Sequence, residues 1–333
     1  MRKHISLWLI LLPIFFLSCQ SNPIDIPIPK NEINITYTNV DQVLSNVGLE
    51  EIKNEIPTFE NQLGDLFYYE LSQNIQQQLN DSSYIAVYNF YQQEYVKDIE
   101  IEKSKLVKTL PQHEEQINNA FHYFKYYFNS TSIPNNIFYI NKLFSKINCT
   151  DAEISIGLEN YISPESSVIK AIPEMELHNW QRQRMDIQYL KRDVLLSWIQ
   201  VQLFEEIDGN LAEHLIQAGK ILYVLNAVFP KESEAYILRY NEKEYKWAIE
   251  NEAMTWDYLV REEMLFSNNL QTKMNFLNEG PKTVGLPDSS PDRIGQFIGY
   301  RIVKNYMLKN KSLSLQELLK TKYNKILQTY EIQ

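Results

Sequence analysis

Apolar residues recur every three or four positions through most of the chain, which is the period of an amphipathic helix. One such stripe predicts a helix over Leu63–Leu79. Similar stripes predict helices over residues 84–96, 114–128, 211–226 and 245–264. A further helix is predicted from Asp186 onward, with an apolar stripe of Ile187, Leu190, Val194, Trp198 and Val201.

Two segments near the middle of the chain have the pattern of β-strands instead. Residues Asn136–Asn141 follow Pro134 and are short, β-branched and aromatic. Residues Ala152–Tyr161 alternate apolar and polar positions. Two prolines, Pro164 and Pro173, are predicted to bound a loop. The pattern predicts an α+β fold that is predominantly helical, with a small sheet in the first half.

Helix ends and helix contacts are also encoded in the last third of the chain. Ser290 before Pro291 has the pattern of an N-cap and a first helical residue, which predicts a helix through Met307. Within it, Gly295 and Gly299 are four residues apart, so we expect another helix to pack closely on that face. Ser314 and Glu317 are spaced as a capping box.

The N-terminus has the features of a secretory signal. Arg2 and Lys3 precede an apolar run that is about 20 Å long as a helix, too short to span a bilayer of roughly 30 Å. Phe16-Leu17-Ser18-Cys19 then suits a lipoprotein signal peptidase. The prediction is a signal peptide over residues 1–18, lipidation of Cys19, a tether over residues 19–36 rich in proline, and one α+β domain over residues 37–333. The alternatives for Cys19 are a buried cysteine and a signal peptide without lipidation.

Composition and charge limit the partners. The formal net charge is −10, and it becomes −12 when Arg2 and Lys3 leave with the signal peptide. This balance argues against nucleic acid or an anionic lipid surface as the partner. Gln20 is not the acidic residue that retains lipoproteins in the inner membrane, which favours the outer membrane, facing the periplasm. Cys149 is the one thiol besides Cys19, so we expect a small buried residue and no disulfide within the chain.

Few residues have the spacing of a known catalytic or metal motif. No glycine-rich phosphate loop, G-x-S-x-G or C-x-x-C occurs, and His113-Glu114 is followed by Ile117 where a second histidine ligand would stand. One acidic cluster could hold a cation through its oxygens, and it also has the composition of a solvated turn between two helices. Its members are Glu205, Glu206, Asp208, Glu213 and His214. Arg293 and Arg301 fit either anion-binding forks or surface ion-pair partners.

Several motifs together resemble the gliding-motility lipoprotein GldB family. They are the cysteine motif at Cys19, Gly157-Leu-Glu-Asn-Tyr161, Trp180-Gln-Arg-Gln-Arg-Met185, Ser290-Pro-Asp-Arg-Ile-Gly-Gln-Phe-Ile-Gly-Tyr300 and Ile302-Val-Lys-Asn-Tyr-Met307. The resemblance covers most of the mature chain. It implies a lipid-anchored envelope protein that is associated with gliding motility and the linked secretion machinery, with envelope proteins as partners.

That family in turn resembles zinc metallopeptidases, and the resemblance implies a degenerate cleft. The H-E-x-x-H helix would fall on Lys191–Trp198, with Arg192 and Leu196 in place of the histidines and Asp193 in place of the base. Ala218 stands where a third ligand would precede Gly219. We expect Arg192 and Asp193 to form a salt bridge with Arg182 or Arg184 instead.

The resemblance therefore implies a protein without catalysis, metal or cofactor that binds partners through this cleft. The candidate cleft residues are Tyr161, Arg182, Arg184, Arg192, Asp193, Arg293 and Arg301. The alternative is a metal-dependent hydrolase with an atypical site around Glu206, Glu213 and His214.

Overall fold

The computed structural model describes residues 26–30, 32–80 and 83–331. It is 61% helical and has one small mixed sheet in the first half, so the predicted fold class is confirmed. The predicted signal peptide and Cys19 lie outside the described residues. In the described part, no helix combines the length and the apolar character that crossing a membrane requires.

Helices follow one another through most of the described chain, and the four strands are short. The strands are β1 (Thr36–Asn39), β2 (Asn136–Tyr139), β3 (Ile147–Cys149) and β4 (Glu153–Ile156). The helices of the first half are α1 (Val40–Leu44), α2 (Leu49–Ile75), α3 (Ser83–Gln92), α4 (Glu94–Val107), α5 (Leu110–Tyr127), α6 (Ser167–Ala171) and α7 (Asn179–Arg182). Those of the second half are α8 (Leu190–Leu203), α9 (Leu211–Val228), α10 (Glu234–Leu238), α11 (Glu242–Glu250), α12 (Glu252–Arg261), α13 (Leu270–Leu277), α14 (Ile294–Lys309), α15 (Leu315–Lys320) and α16 (Tyr323–Leu327).

The sheet has the strand order β1-β2-β4-β3. The first three strands in this order are parallel, with Tyr37 opposite Ile137 and Ile137 opposite Ile154. The edge strand β3 is antiparallel to β4 and pairs Asn148 with Ser155. Sequence patterning identified β2 and β4 but missed β1 and β3, which are four and three residues long.

The two faces of the sheet contact different hydrophobic cores because successive side chains of a strand point to opposite sides. Ile137 and Tyr139 belong to the large core formed with α5, α8, α9 and α14. Phe138 and Ile140 belong to a second core, formed with α1, α2 and α3. Both faces are thus covered, which explains why β2 is apolar at nearly every position.

Several predicted boundaries in the first half were wrong. The helix predicted over Leu63–Leu79 is the second part of the longer α2, which has a kink at Gly64, where φ is +69°. The segment Tyr84–Val96 is broken by extended backbone at Gln93. The break lets both Phe90 and Val96 reach the second core. The strand predicted over 152–161 ends at Ile156, and a 3-10 helix follows.

The second half is divided more finely than predicted. A 3-10 turn precedes α8, which begins at Leu190, and Val201 is 50% exposed instead of continuing the buried stripe. The helix predicted over residues 245–264 is two helices separated at Asn251. The loop between Pro164 and Pro173 contains α6. The helix over 211–226 and the capping box at Ser314 are confirmed.

The predicted N-cap at Ser290 was wrong. Helix α14 begins at Ile294, and Arg293 caps it in the left-handed conformation with φ of +50°. Thr283 fixes this turn, because its hydroxyl donates to the Pro291 carbonyl at 2.8 Å and accepts from the Ile294 amide at 3.2 Å. The chain therefore makes a tight turn before the helix, and the turn holds Arg293 beside a cleft.

Glycines lie where α14 crosses α9. A methyl group on Gly299 would overlap the backbone carbonyl of Leu215, and one on Gly219 would overlap the carbonyl of Gly299. A methyl group on Gly295 would lie 2.7 Å from the Leu215 side chain. The two backbones approach so closely that no larger residue fits at the crossing.

The segment before β1 packs against the folded domain. Residues 26–30 and 32–35 form no helix, and three of their isoleucines, Ile26, Ile33 and Ile35, pack against the large core. The hydroxyl of Tyr123 donates to the Ile26 carbonyl at 3.0 Å. The part of the predicted tether that the structure describes is therefore docked on the protein.

Candidate functional site

A cleft of about 580 Å³ lies between the edge of the sheet and the helices of the second half. Helix α8 lines it with Arg192, Asp193 and Leu196, and α9 lines it with Ala218. The residue Ile147 of the edge strand β3 forms part of another wall. By resemblance to zinc metallopeptidases, a metal site would fall on these four helix positions. All four therefore line one cavity.

Asp193 connects three buried groups at the base of this cleft. Its Oδ1 accepts from Nη1 of Arg192 at 2.8 Å, and its Oδ2 accepts from Arg239. The hydroxyl of Tyr161 donates to the same Oδ2 at 3.1 Å. Arg192 is only 2% exposed, and its Nε donates to the Ile237 carbonyl at 2.9 Å. One carboxylate thus holds two guanidinium groups and a phenol.

Positive charge exceeds negative charge around Arg192. Burial lowers the pKa of Arg192, and the neighbouring charges of Arg239 and Arg293 lower it further. Burial also opposes the charge of Arg239, but the Asp193 carboxylate outweighs this and raises the pKa of Arg239. The Nη2 of Arg192 and the Nε of Arg239 are buried and have no hydrogen-bond partner. The cluster thus has guanidinium donors that the protein leaves unsatisfied.

The opposite wall contains a second group of ion pairs. Asp292 is fully buried and accepts from Arg184 Nη1 and from the Gly280 amide, and Arg293 Nε lies 3.1 Å from its carboxylate. Glu279 lies at the rim, 2.6 Å from Lys146 and 4.0 Å from Arg293. Burial raises the pKa of Glu279, but Lys146 and Arg293 outweigh it and lower this pKa to about 2. Glu279 therefore stays ionised.

A smaller cavity of about 220 Å³ adjoins the cleft. Lys146, Arg239 and Glu279 line both cavities. Trp180 and Arg184 lie in the smaller one, with the Arg184 guanidinium 5.7 Å from the centre of the Trp180 ring. The motif around Trp180 and the motif around Arg293 therefore meet at a common groove.

Some predicted cleft residues lie elsewhere. Arg182 does not reach Asp193, because it donates to the carbonyls of Leu177 and Ile172. Arg301 lies on the far part of α14, where its Nε donates to both oxygens of Glu252, at 3.1 and 2.9 Å. The predicted salt bridge of Arg192 and Asp193 with Arg182 or Arg184 was therefore wrong.

The actual partner is Arg239, which sequence analysis missed. It ends α10 in the left-handed conformation, with φ of +57°. This backbone turns its side chain back toward α8, where Nη2 also donates to the Arg184 carbonyl at 2.8 Å. Nothing in the surrounding sequence distinguishes Arg239 from a surface arginine. Lys146, Glu279 and Asp292 were missed for the same reason, since loops place all three.

The alternative site around His214 lies in the connection between α8 and α9. Glu205, Glu206 and Asp208 are exposed there, while Glu213 and His214 are partly buried at the start of α9. Burial lowers the pKa of His214, and the charge of Lys273 lowers it further. Across residues 26–30, 32–80 and 83–331, no three or more His, Cys, Asp or Glu side chains are placed to hold a metal ion.

A second polar cluster lies where the parallel strands end. Asp41 follows β1, Asn141 follows β2 and Glu159 follows β4, and all three are buried. The Asp41 carboxylate accepts from the Asn141 amide at 2.9 Å and from Lys103 of α4. The carboxyl ends of parallel strands meet at one edge of a sheet, where ligands of such sheets bind. Here the Lys103 ammonium occupies that position.

Glu100 adds a third carboxylate beside Lys103, at 2.9 Å. Burial raises the pKa of Glu100 to about 7, and the charge of Asp41 adds to the rise. Burial also raises the pKa of Glu159, whose Oε2 has no hydrogen-bond partner. One buried ammonium therefore faces more carboxylates than it neutralises. A cavity of about 640 Å³, lined in part by Glu100 and Lys103, opens beside the cluster.

The residues of the first cleft do not fit zinc. Zinc sites in proteins are formed by His, Cys, Asp and Glu. At the aligned positions stand Arg192, whose charge opposes a dication, and the apolar Leu196 and Ala218. The Asp193 carboxylate is engaged with two guanidinium groups.

Fold and cleft together define a predominantly helical α+β protein whose central cleft is lined by buried ion pairs. The chain belongs to the family of the gliding motility protein GldB, whose model matches residues 21–331. It is therefore a gliding-motility-related protein, and the lipoprotein label of the family indicates the cell envelope. A search of curated proteins and a search of solved structures give no match.

Proposed function

We propose that this protein is a non-catalytic lipoprotein of the outer membrane that supports gliding motility or the linked secretion machinery by binding a protein partner. The observation that carries this proposal is that Arg192 and Asp193, at two positions that the peptidase resemblance aligns with a metal site, form a buried group of ion pairs with Arg239. A cleft that lacks metal-coordinating side chains can still bind a protein partner. Fold likeness alone does not carry an activity.

The metal content of residues 20–333 tests the non-catalytic part of the proposal. After dialysis against trace zinc, we expect less than about a tenth of an equivalent, because structural or catalytic zinc requires a complete ligand set. One equivalent that is lost in His214→Ala, but kept in the matched variant His178→Ala, would overturn the proposal. It would favour the alternative, a metal-dependent hydrolase with its site around Glu206, Glu213 and His214.

The anchor is tested by replacing the two cysteines one at a time. Cys19→Ser is expected to lose labelling by a radioactive fatty acid, because the thiol that carries the acyl chains is absent. Cys149→Ser is the control and should keep the label. Separation of inner and outer membranes then locates the wild type. Recovery in the inner membrane would contradict the outer-membrane proposal.

Partner binding is tested with the same chain as bait against detergent extracts of the envelope. We expect a motility or secretion component to be enriched relative to a bait of comparable net charge. Failure to enrich any envelope protein would contradict the binding role.

A further inference from the structure

Four cationic and two anionic side chains line the cleft between α8 and β3. The cations are Lys146, Arg192, Arg239 and Arg293, and the anions are Asp193 and Glu279. Asp292, fully buried beside Arg293, reduces this excess from two positive charges to one, in a chain whose formal charge is −10. Three of the four cations are more than nine-tenths buried. Burying charges without balancing them is costly, so a bound anion would stabilise this arrangement.

The guanidinium groups are held ready for such an anion. Arg192 is fixed by Asp193 and the Ile237 carbonyl, and Arg239 by Asp193 and the Arg184 carbonyl. Both keep a nitrogen without a hydrogen-bond partner. Fixed guanidinium groups recognise planar oxyanions such as carboxylates with paired hydrogen bonds. Because their side chains are already fixed, these arginines lose little conformational entropy when an anion binds.

The remainder of the cleft suits a peptide better than a small inorganic ion. Its walls include the apolar side chains of Leu196, Ile221 and Leu222. Its volume of about 580 Å³ is in the range of pockets that enclose organic ligands. The edge strand β3 contributes Ile147, and an extended chain can lie beside such an edge.

We infer that this cleft binds a carboxylate-bearing peptide segment of the protein partner, with the carboxylate held by Arg192, Arg239 and Arg293. The inference rests on the proposed function, since it specifies the chemistry of the partner. Glu279 lies beside Arg293 and Lys146 and competes with the incoming carboxylate for them. Lys146 stands at the rim and attracts it.

Two rim variants test the inference without removing a buried arginine. Lys146 and Glu279 are 44% and 35% exposed, so their substitution should leave the fold intact. Lys146→Ala is expected to weaken carboxylate binding about threefold, and Lys146→Arg to preserve it. Glu279→Gln is expected to strengthen binding by a similar factor, because it removes the competing carboxylate.

The chain offers a matched control pair. Lys170 and Glu165 also lie 2.6 Å apart, are 57% and 81% exposed, and line neither the cleft nor the adjoining cavity. Lys170→Ala and Glu165→Gln change the net charge in the same way as the two rim variants. Both should leave peptide affinity within about twofold of the wild type.

The probes are two pools of random hexapeptides that differ only in their carboxylates. One pool has a free C-terminus and one glutamate, and the neutral pool is amidated and has glutamine instead. We expect immobilised residues 20–333 to retain the first pool selectively. Mass spectrometry identifies the retained peptides, and the best-retained ones are then titrated against each variant. Equal retention of both pools, or unchanged affinity in both rim variants, would overturn the inference.

Inorganic phosphate separates a peptide site from a general oxyanion site. We expect the retained peptides to resist phosphate at equal concentration. Displacement by phosphate at that concentration would overturn the assignment to a peptide. An envelope partner that is captured equally by wild type, Lys146→Ala and Glu279→Gln would contradict the inference but leave the proposed function intact. Absence of any captured partner would contradict the proposed function itself.

Discussion

Asp193 and Asp41 have the same role in two different places. Each is a buried carboxylate that accepts from a cationic side chain and from a tyrosine hydroxyl. Around Asp193 the cations are in excess, whereas around Asp41 the carboxylates are in excess. Unbalanced buried charges of either sign change pKa values, and such sites are candidates for function.

Glu100 gives the stability of the protein a pH dependence. Asp41 of α1, Lys103 of α4, Tyr91 of α3 and Glu159 surround it, and its pKa is about 7 in the folded protein against an ordinary value of 4.5. The folded state therefore holds more protons than the unfolded state between these values. Stability should fall as pH rises through this window, by up to about 3 kcal/mol for this group.

Urea unfolding at about pH 5 and about pH 8 measures this effect. The comparison uses wild type, Glu100→Gln and the control Glu102→Gln, which removes a carboxylate from the same helix. Because other carboxyl groups also titrate, the readout is the difference between variants. Glu100→Gln should lose less stability than wild type on going to the higher pH, and Glu102→Gln should follow wild type. Equal slopes for all three proteins would contradict the prediction.

Helices α9 and α14 form the centre of the second half. Both are buried along most of their length, and they meet at Gly219 and Gly299. This crossing fixes the end of α14 that begins at Ile294, and so it fixes Arg293 at the cleft. The i, i+4 spacing of Gly295 and Gly299 was enough to predict a close approach, but it did not identify α9 as the partner helix.

Gly299→Ala separates packing from helix propensity. In an isolated helix, alanine is more favourable than glycine by about 1 kcal/mol. Here the added methyl group overlaps the Leu215 carbonyl, so we expect a loss of about 3 kcal/mol in the free energy of unfolding. Gly280→Ala is the control, since its methyl group lies 3.5 Å from the Lys282 carbonyl and should cost less than about 1 kcal/mol. A stabilised Gly299→Ala protein would refute the close crossing.

The position of the whole molecule relative to a membrane depends on the segment before β1. With Ile26 docked on the large core, six residues lie between it and Cys19, so seven Cα-to-Cα steps join the two. A fully extended chain of that length reaches about 25 Å. If Cys19 carries lipid, the body is held near the membrane surface instead of at the end of a long tether.

Ile26 and Ile28 form a matched pair for testing this docking. Ile26 packs on the core, while Ile28 is 47% exposed. Ile26→Ala should lower the free energy of unfolding by about 1 kcal/mol, because it removes partly buried methyl and methylene groups. Ile28→Ala should change it by less than about 0.5 kcal/mol. Equal effects in denaturant titrations would show that the segment is not held to the body.

The sequence by itself determined the fold class, the family and most of the helices, because hydrophobic periodicity and local motifs are properties of neighbouring residues. It also indicated five residues that lie at the cleft, which are Tyr161, Arg184, Arg192, Asp193 and Arg293. Only the tertiary structure decided which other cations join them. Arg239 and Lys146, which the sequence did not indicate, reach the cleft from a helix end and from the start of a strand that are distant along the chain. Contacts of this kind depend on how elements pack, and no spacing in the sequence encodes them.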